Sequence, residues 1–102
     1  MSAGRDLTLV LNERRLDTDS AFRLHEVLMR NIAGVASLTV DMAAVEYISS
    51  AGLRALLAAR HAMGDEGRVT LRNVREAVMN ILELTGFSEI FSVEPPAGGG
   101  QV

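Results

Sequence analysis

The sequence alternates between strand-type and helix-type hydrophobic patterns along nearly its whole length. Leu7, Leu9 and Leu11 recur at every second residue, which is typical of a strand with one apolar face. Residues 21–32 then carry apolar side chains at helical spacing, and Gly34 ends that segment. Strand patterns return near 38–40, 68–74 and 90–93, with helices from 53 and after 74 between them. The order β-α-β-α-β-α-β predicts an α/β domain with a largely buried sheet, although the polar alternate residues of 68–74 indicate that one face of that strand meets solvent.

Two local signals fix the ends of the third helix. Asn73 followed by Glu76 resembles a capping box, which predicts that the helix begins there. Gly86 is expected in the left-handed conformation that ends a helix, with Phe87 supplying the accompanying apolar contact.

The length of 102 residues and the 48% hydrophobic content predict one domain with one core. We assign that domain to residues 1–94. The tail, 95–102, begins with two prolines and contains three consecutive glycines, so it is expected to be disordered.

Several function classes find little support in the composition. Without cysteine there is no disulfide, thiolate metal site or thiol nucleophile, and the net charge of −3 argues against general nucleic-acid binding. No segment resembles a secretory signal or a membrane-spanning helix, so a soluble, cytoplasmic protein is expected. His25 and His61 stand outside any recognisable motif and are expected on helix surfaces. We therefore predict no enzyme activity, no metal and no cofactor.

Ser49 and Ser50 form the one segment that a purely structural role does not fully explain. A strand-to-helix junction needs one capping serine, and here there are two, followed by Gly52 in the first helical turn. A bare glycine suggests close approach of another molecule. Phosphate on a serine at a helix start would be tolerated by the helix dipole and would add about −1.5 to −2 charge. These are the properties of a docking surface controlled by phosphorylation.

Three motifs together resemble the STAS domain, and most closely the bacterial anti-sigma factor antagonists (anti-anti-sigma factors). They are the Arg15–Thr18 turn, the Val40–Met42 and Tyr47–Leu53 segments, and the Leu82–Phe87 segment. The likeness extends from about Leu7 to Val93. It implies the STAS fold, a mixed four- to five-stranded β-sheet flanked by helices.

The resemblance also implies a mechanism, partner switching. In that family the unmodified antagonist binds an anti-sigma factor, which is a serine kinase with a histidine-kinase-like ATPase fold, and so releases a sigma factor for transcription. The kinase phosphorylates the antagonist on a serine and ends the complex, and a PP2C-type phosphatase resets it. Aligning the family's Asp-Ser-Ser-Gly-Leu motif places the acceptor at Ser50. Ser49 stands where many members carry Asp and is the second candidate.

The partner surface implied by the resemblance combines the early turn with the start of the second helix. Its residues are Asp17, Thr18, Ser49, Ser50, Ala51, Gly52, Leu53 and Arg54. The segment before Leu7 is shorter than in members with an extra strand, so we expect a sheet edge open for a partner or for a homodimer. Two alternatives stay open, a non-catalytic STAS subunit of a lipid or anion transport complex or signalling scaffold, and a small nucleotide-binding or hydrolytic enzyme.

Overall fold

The computed structural model describes residues 4–96, so the ends of the chain, including most of the predicted tail, lie outside the described residues. Three helices alternate with short strands in the predicted manner. The elements are β1 (Arg5–Val10), β2 (Arg15–Leu16), α1 (Thr18–Asn31), β3 (Val35–Asp41), β4 (Tyr47–Ile48), α2 (Ser50–Ala62), β5 (Arg68–Arg72), α3 (Glu76–Thr85), a 3-10 turn (Phe87–Glu89) and β6 (Ser92–Val93).

The strands form a four-stranded sheet in the order β1-β3-β5-β6 and a separate two-stranded sheet of β2 and β4. The α/β class and the STAS-like architecture with flanking helices are confirmed. All of the described strand pairs are parallel, whereas the resemblance implied a mixed sheet. The reason is that a helix separates each pair of neighbouring strands in the main sheet, and such a crossover returns the chain in the same direction.

The order of the strands in the main sheet also determines where the helices lie. Each crossover steps the chain in the same direction across the sheet, and β-α-β connections between parallel strands are right-handed, so all three helices fall on one face. Residues from that face and from the helices form one core cluster, with Leu38, Val40 and Leu71 from the sheet fully buried.

The opposite face of the sheet is polar. Thr8, Thr39, Thr70 and Ser92 lie opposite one another in register and form a row of hydroxyls across all four strands. These side chains are half-buried or exposed. The sheet is therefore buried on one side only, as the alternation in residues 68–74 indicated, and the expectation of a largely buried sheet is wrong for the other side.

Of the two predicted ends of α3, the C-terminal end is confirmed and the N-terminal cap is wrong. Gly86 is left-handed, with φ of 82°, and ends the helix as expected. The capping box is wrong, because the N-cap is Arg75 and no side chain caps it. The Asn73 side chain instead donates to Asp41 Oδ1 at 3.1 Å, an interaction between neighbouring strand ends that sequence spacing cannot reveal.

The last predicted strand is shorter than expected. Residues 87–89 form a 3-10 turn and only Ser92 and Val93 pair with β5, while Phe91 is buried beside the sheet. No helix within residues 4–96 is long and apolar enough to cross a bilayer.

Candidate functional site

The small sheet brings together two segments that are more than thirty residues apart in the chain. β2 pairs with β4, with Arg15 opposite Tyr47 and Leu16 opposite Ile48. Each of these strands is followed by one capping residue and then a helix, Asp17 before α1 and Ser49 before α2. Because the strands are parallel and in register, the two helices begin side by side. The early turn and the double serine, predicted as parts of one surface, therefore adjoin.

Ser49 is the N-cap of α2, and its hydroxyl is fully engaged inside the domain. Its Oγ donates to the backbone carbonyl of Leu16 at 2.9 Å and accepts the backbone N–H of Gly52 at 3.2 Å. The Ser49 N–H also donates to Leu16 O, at 3.0 Å. The half-buried Ser49 thus joins the start of α2 to the end of β2.

Ser50 has the opposite environment, although it is the next residue. It is the first residue of α2, it is exposed, and its hydroxyl makes no hydrogen bond to any residue within 4–96. A hydroxyl in this position is accessible to another protein. Of the two hydroxyls, that of Ser50 is therefore the more accessible.

Asp17 caps α1 through a capping box with Ser20. Its Oδ1 accepts the Ser20 N–H at 3.0 Å, while the Asp17 N–H donates to Ser20 Oγ at 2.9 Å. The Ser20 N–H first, and then its hydroxyl, lower the pKa of the Asp17 carboxyl. Asp17 is exposed and ionised at neutral pH, so it places a negative charge at the edge of the site.

A shallow apolar groove runs between α1 and α2 from this edge. Phe22 forms one wall of the groove, and its side chain is 65% exposed. The residues that line the groove are Thr18, Ala21, Phe22, His25, Ala51, Arg54, Ala55 and Ala58. Thr18, Ala51 and Arg54 are among the residues of the partner surface that the resemblance implied. Phe22 was missed, although its signal was present, since it is a large apolar residue off the buried face of its helix.

Gly52 and Leu53 face inward. Leu53 is 5% exposed and belongs to the core, and Gly52 is buried. A Cβ on Gly52 would lie 2.9 Å from Ile48 Cγ1 and 3.0 Å from Leu16 Cγ. The interpretation that this glycine leaves room for another molecule is therefore wrong, because the space is filled by the β2 and β4 side chains of the same domain.

The side of the site formed by β2 and β4 carries a cation–π contact that the sequence did not reveal. The Arg15 guanidinium lies 4.5 Å from the centre of the Tyr47 ring. The two residues are opposite each other in the small sheet. The contact therefore depends on the pairing of β2 with β4, which the sequence around either residue does not predict. Arg14 and Glu46, one residue earlier in each segment, form an exposed ion pair at 3.3 Å.

The two histidines lie on helix surfaces as predicted. Both are exposed, His25 beside the groove and His61 near the end of α2. Among residues 4–96 there is no group of three histidine or acidic side chains that could hold a metal ion.

The fold and the site together define a class of protein, a small parallel α/β domain that presents a serine hydroxyl at a helix start beside an apolar groove. The family model for the STAS domain matches residues 4–97, and the chain belongs to that family.

Two further comparisons agree with this assignment. A protein of Bordetella bronchiseptica named as an anti-sigma factor antagonist, BtrV, is 36% identical over 61 residues, which cover 59% of this chain and 53% of the relative. The chain thus matches about half the length of that relative. A crystal structure from Thermotoga maritima, of a protein named as an anti-sigma factor antagonist (tm1081), superposes with a TM-score of 0.73. At 20% identity, covering 85% of this chain and 78% of the other, it shows the shared fold.

Proposed function

We propose that this protein is a cytoplasmic anti-sigma factor antagonist that is switched off by phosphorylation of Ser50. Its partner is an anti-sigma factor that is also a serine kinase with a histidine-kinase-like ATPase fold, and a PP2C-type phosphatase reverses the modification. The carrying observation is the contrast between two adjacent serines, since Ser49 is bonded into the fold and Ser50 is exposed without a bond to residues 4–96. Membership of the STAS family and the likeness to BtrV support the choice of partner.

Phosphorylation requires little chemistry from this chain itself. The γ-phosphoryl group of ATP passes to Ser50 Oγ, so that a new P–O bond forms and the bond from the γ-phosphorus to the bridging oxygen of ADP breaks. The kinase removes the hydroxyl proton and ADP leaves. This chain contributes only the hydroxyl and the surface that the kinase binds.

The switch follows from where the charge appears. Phosphorylation adds about −1.5 to −2 charge at the end of the apolar groove, in a chain with a net charge of −3. A partner that buries this surface would have to desolvate the dianion, which is costly without a matching cation. The fold itself tolerates the group, because the start of a helix favours negative charge. Phosphorylation is therefore expected to end binding without unfolding the domain.

The test is phosphorylation by a purified kinase-like anti-sigma factor and ATP, followed by intact mass and peptide mapping. We expect one phosphate, on Ser50. Ser50→Ala should abolish the mass increase and retain binding, while Ser50→Asp should weaken binding roughly tenfold or more, the effect of about 1.4 kcal/mol. Ser49→Ala is the matched control and should still accept phosphate.

Two results would overturn the proposal. One is a phosphate that persists in Ser50→Ala. The other is co-purification with a transporter ATPase and no modification by the kinase, which would support the alternative of a transport or scaffold subunit.

A further inference from the structure

Arg54 lies one helical turn after Ser50 on α2. The two residues have i,i+4 spacing, so their side chains lie on the same face of the helix, with Cβ atoms about 5–6 Å apart. Both residues are exposed, and Arg54 lines the groove between α1 and α2. A phosphate on Ser50 would therefore be within reach of the Arg54 side chain.

The direction and the order of the two side chains favour contact. Long side chains in a helix point back toward its N-terminus, so Arg54 covers the turn that contains Ser50. An acidic group that precedes a basic group by four residues is the more favourable order for such a pair. Phosphoserine at 50 and arginine at 54 have this order.

The Arg54 guanidinium is also available. Within residues 4–96 it forms no ion pair and no side-chain hydrogen bond, whereas Arg14 and Arg23 pair with Glu46 and Glu13. An unengaged guanidinium loses no existing contact when it binds a phosphate, and its planar fork can donate two hydrogen bonds to one phosphoryl group.

We propose that Arg54 forms an intrahelical ion pair with phosphorylated Ser50, and that this pair changes the charge of the groove surface. This rests on the proposed phosphorylation of Ser50. In the unmodified protein the guanidinium is free on the groove surface, where it can meet an acidic group of the partner. In the phosphorylated protein the same guanidinium is drawn to the phosphate. The modification thereby removes a positive charge from the groove as well as adding a negative one.

Other ionisable groups surround the site and act on this pair. Asp17 and Asp19 lie at the start of α1, where their charge opposes that of a phosphate, and His25 lies farther along the groove. On the small sheet, Arg15 is engaged with the Tyr47 ring. Arg54 is therefore the exposed cation on α2 that is placed to offset the acidic start of α1.

The test measures the second pKa of the phosphate by ³¹P NMR titration of protein with phosphoserine encoded at position 50 during translation. A nearby cation lowers this pKa, so Arg54→Gln should raise it, by about 0.3 pH units for an exposed i,i+4 pair. Arg54→Lys should retain most of the depression.

Arg30→Gln is the matched control. Arg30 is an exposed arginine in the last turn of α1, about 18 Å along that helix from its start and beyond the screening distance. Equal shifts in Arg54→Gln and Arg30→Gln would overturn the inference. A kinase that fails to modify Ser50 would count against the proposed function alone, because here the phosphoserine is introduced without a kinase.

Discussion

At the scale of single residues, the site depends on a division of labour between two neighbouring serines. Ser49 satisfies backbone groups that would otherwise be unpaired at the end of β2 and the start of α2. Ser50 points outward and contributes nothing of this kind. The residues alone predicted a cap and a second, free serine at this junction without assigning them, and the family resemblance placed the acceptor at Ser50 with Ser49 as the second candidate. The structure distinguishes their environments because the Leu16 carbonyl, 33 residues away, is bonded to only one of them.

This division predicts different effects on stability. Ser49→Ala removes the cap and the bond to Leu16, and should lower the free energy of unfolding by about 1 kcal/mol or more. Ser50→Ala removes an exposed hydroxyl and should stay within about 0.5 kcal/mol of the parent. Urea unfolding followed by circular dichroism measures both. Equal losses in the two variants would contradict the assigned roles.

Gly52 shows what a single position cannot reveal in a sequence. A glycine at a helix start is compatible with an open surface or with close internal packing. Only the residues that surround it in the fold show which of the two applies. Here the partners are Leu16 and Ile48, whose strands pair with each other. The glycine is needed because α2 begins directly above the small sheet.

At the scale of elements, the long periodic segments were predictable, the two-residue β6 was predicted as a longer strand, and the two-residue β2 and β4 were not predicted. The three helices and three main strands all carry several turns or alternations of apolar residues. β2 and β4 have two residues each, too few to show any period. Yet these two strands place the helix starts together. The family resemblance proposed residues for a partner surface, but the sequence could not supply the strand pairing that brings their two segments together. The hydrogen bond from Asn73 to Asp41 was also not predictable, because it depends on the pairing of β3 with β5.

The start of α1 gives a prediction about pH. Since Ser20 lowers the pKa of Asp17 below its ordinary value of 3.8, the folded state binds fewer protons there than the unfolded state. Its contribution to stability is present above pH 4 and is lost as the pH falls below that value. Asp17→Asn still accepts the Ser20 N–H but does not titrate, so it should lose less stability than the parent between pH 5 and pH 3.

Urea midpoints at the two pH values provide the measurement. Asp19→Asn is the control, because it removes a neighbouring charge and leaves the capping box intact. Asp41, whose pKa is lowered by the Asn73 side chain, is present in all three proteins and cancels from the comparison. An Asp17→Asn variant as acid-sensitive as the parent would refute the role assigned to the carboxylate.

At the scale of the whole molecule, all three helices pack on one side of the sheet. Successive right-handed crossovers in one direction leave the other side without a helix, and the sequence provides for this with polar residues at alternate positions. The site lies away from that polar side, because the starts of α1 and α2 belong to the helical layer. The domain can therefore present a partner surface on its helices while its sheet supplies only the core beneath them.

This arrangement predicts that exchanges between valine and threonine have very different effects on stability at two adjacent residues of β3. Val40 is fully buried against the helices, so Val40→Thr places a hydroxyl in the core and should cost about 1–3 kcal/mol. Thr39 lies on the polar face, opposite Thr8 and Thr70, and Thr39→Val should change stability by about 0.5 kcal/mol or less. Both exchanges keep a β-branched side chain, so strand propensity is nearly constant and only the environment differs. Equilibrium urea unfolding of the two variants measures the difference, and similar losses would mean that both faces of the sheet are buried.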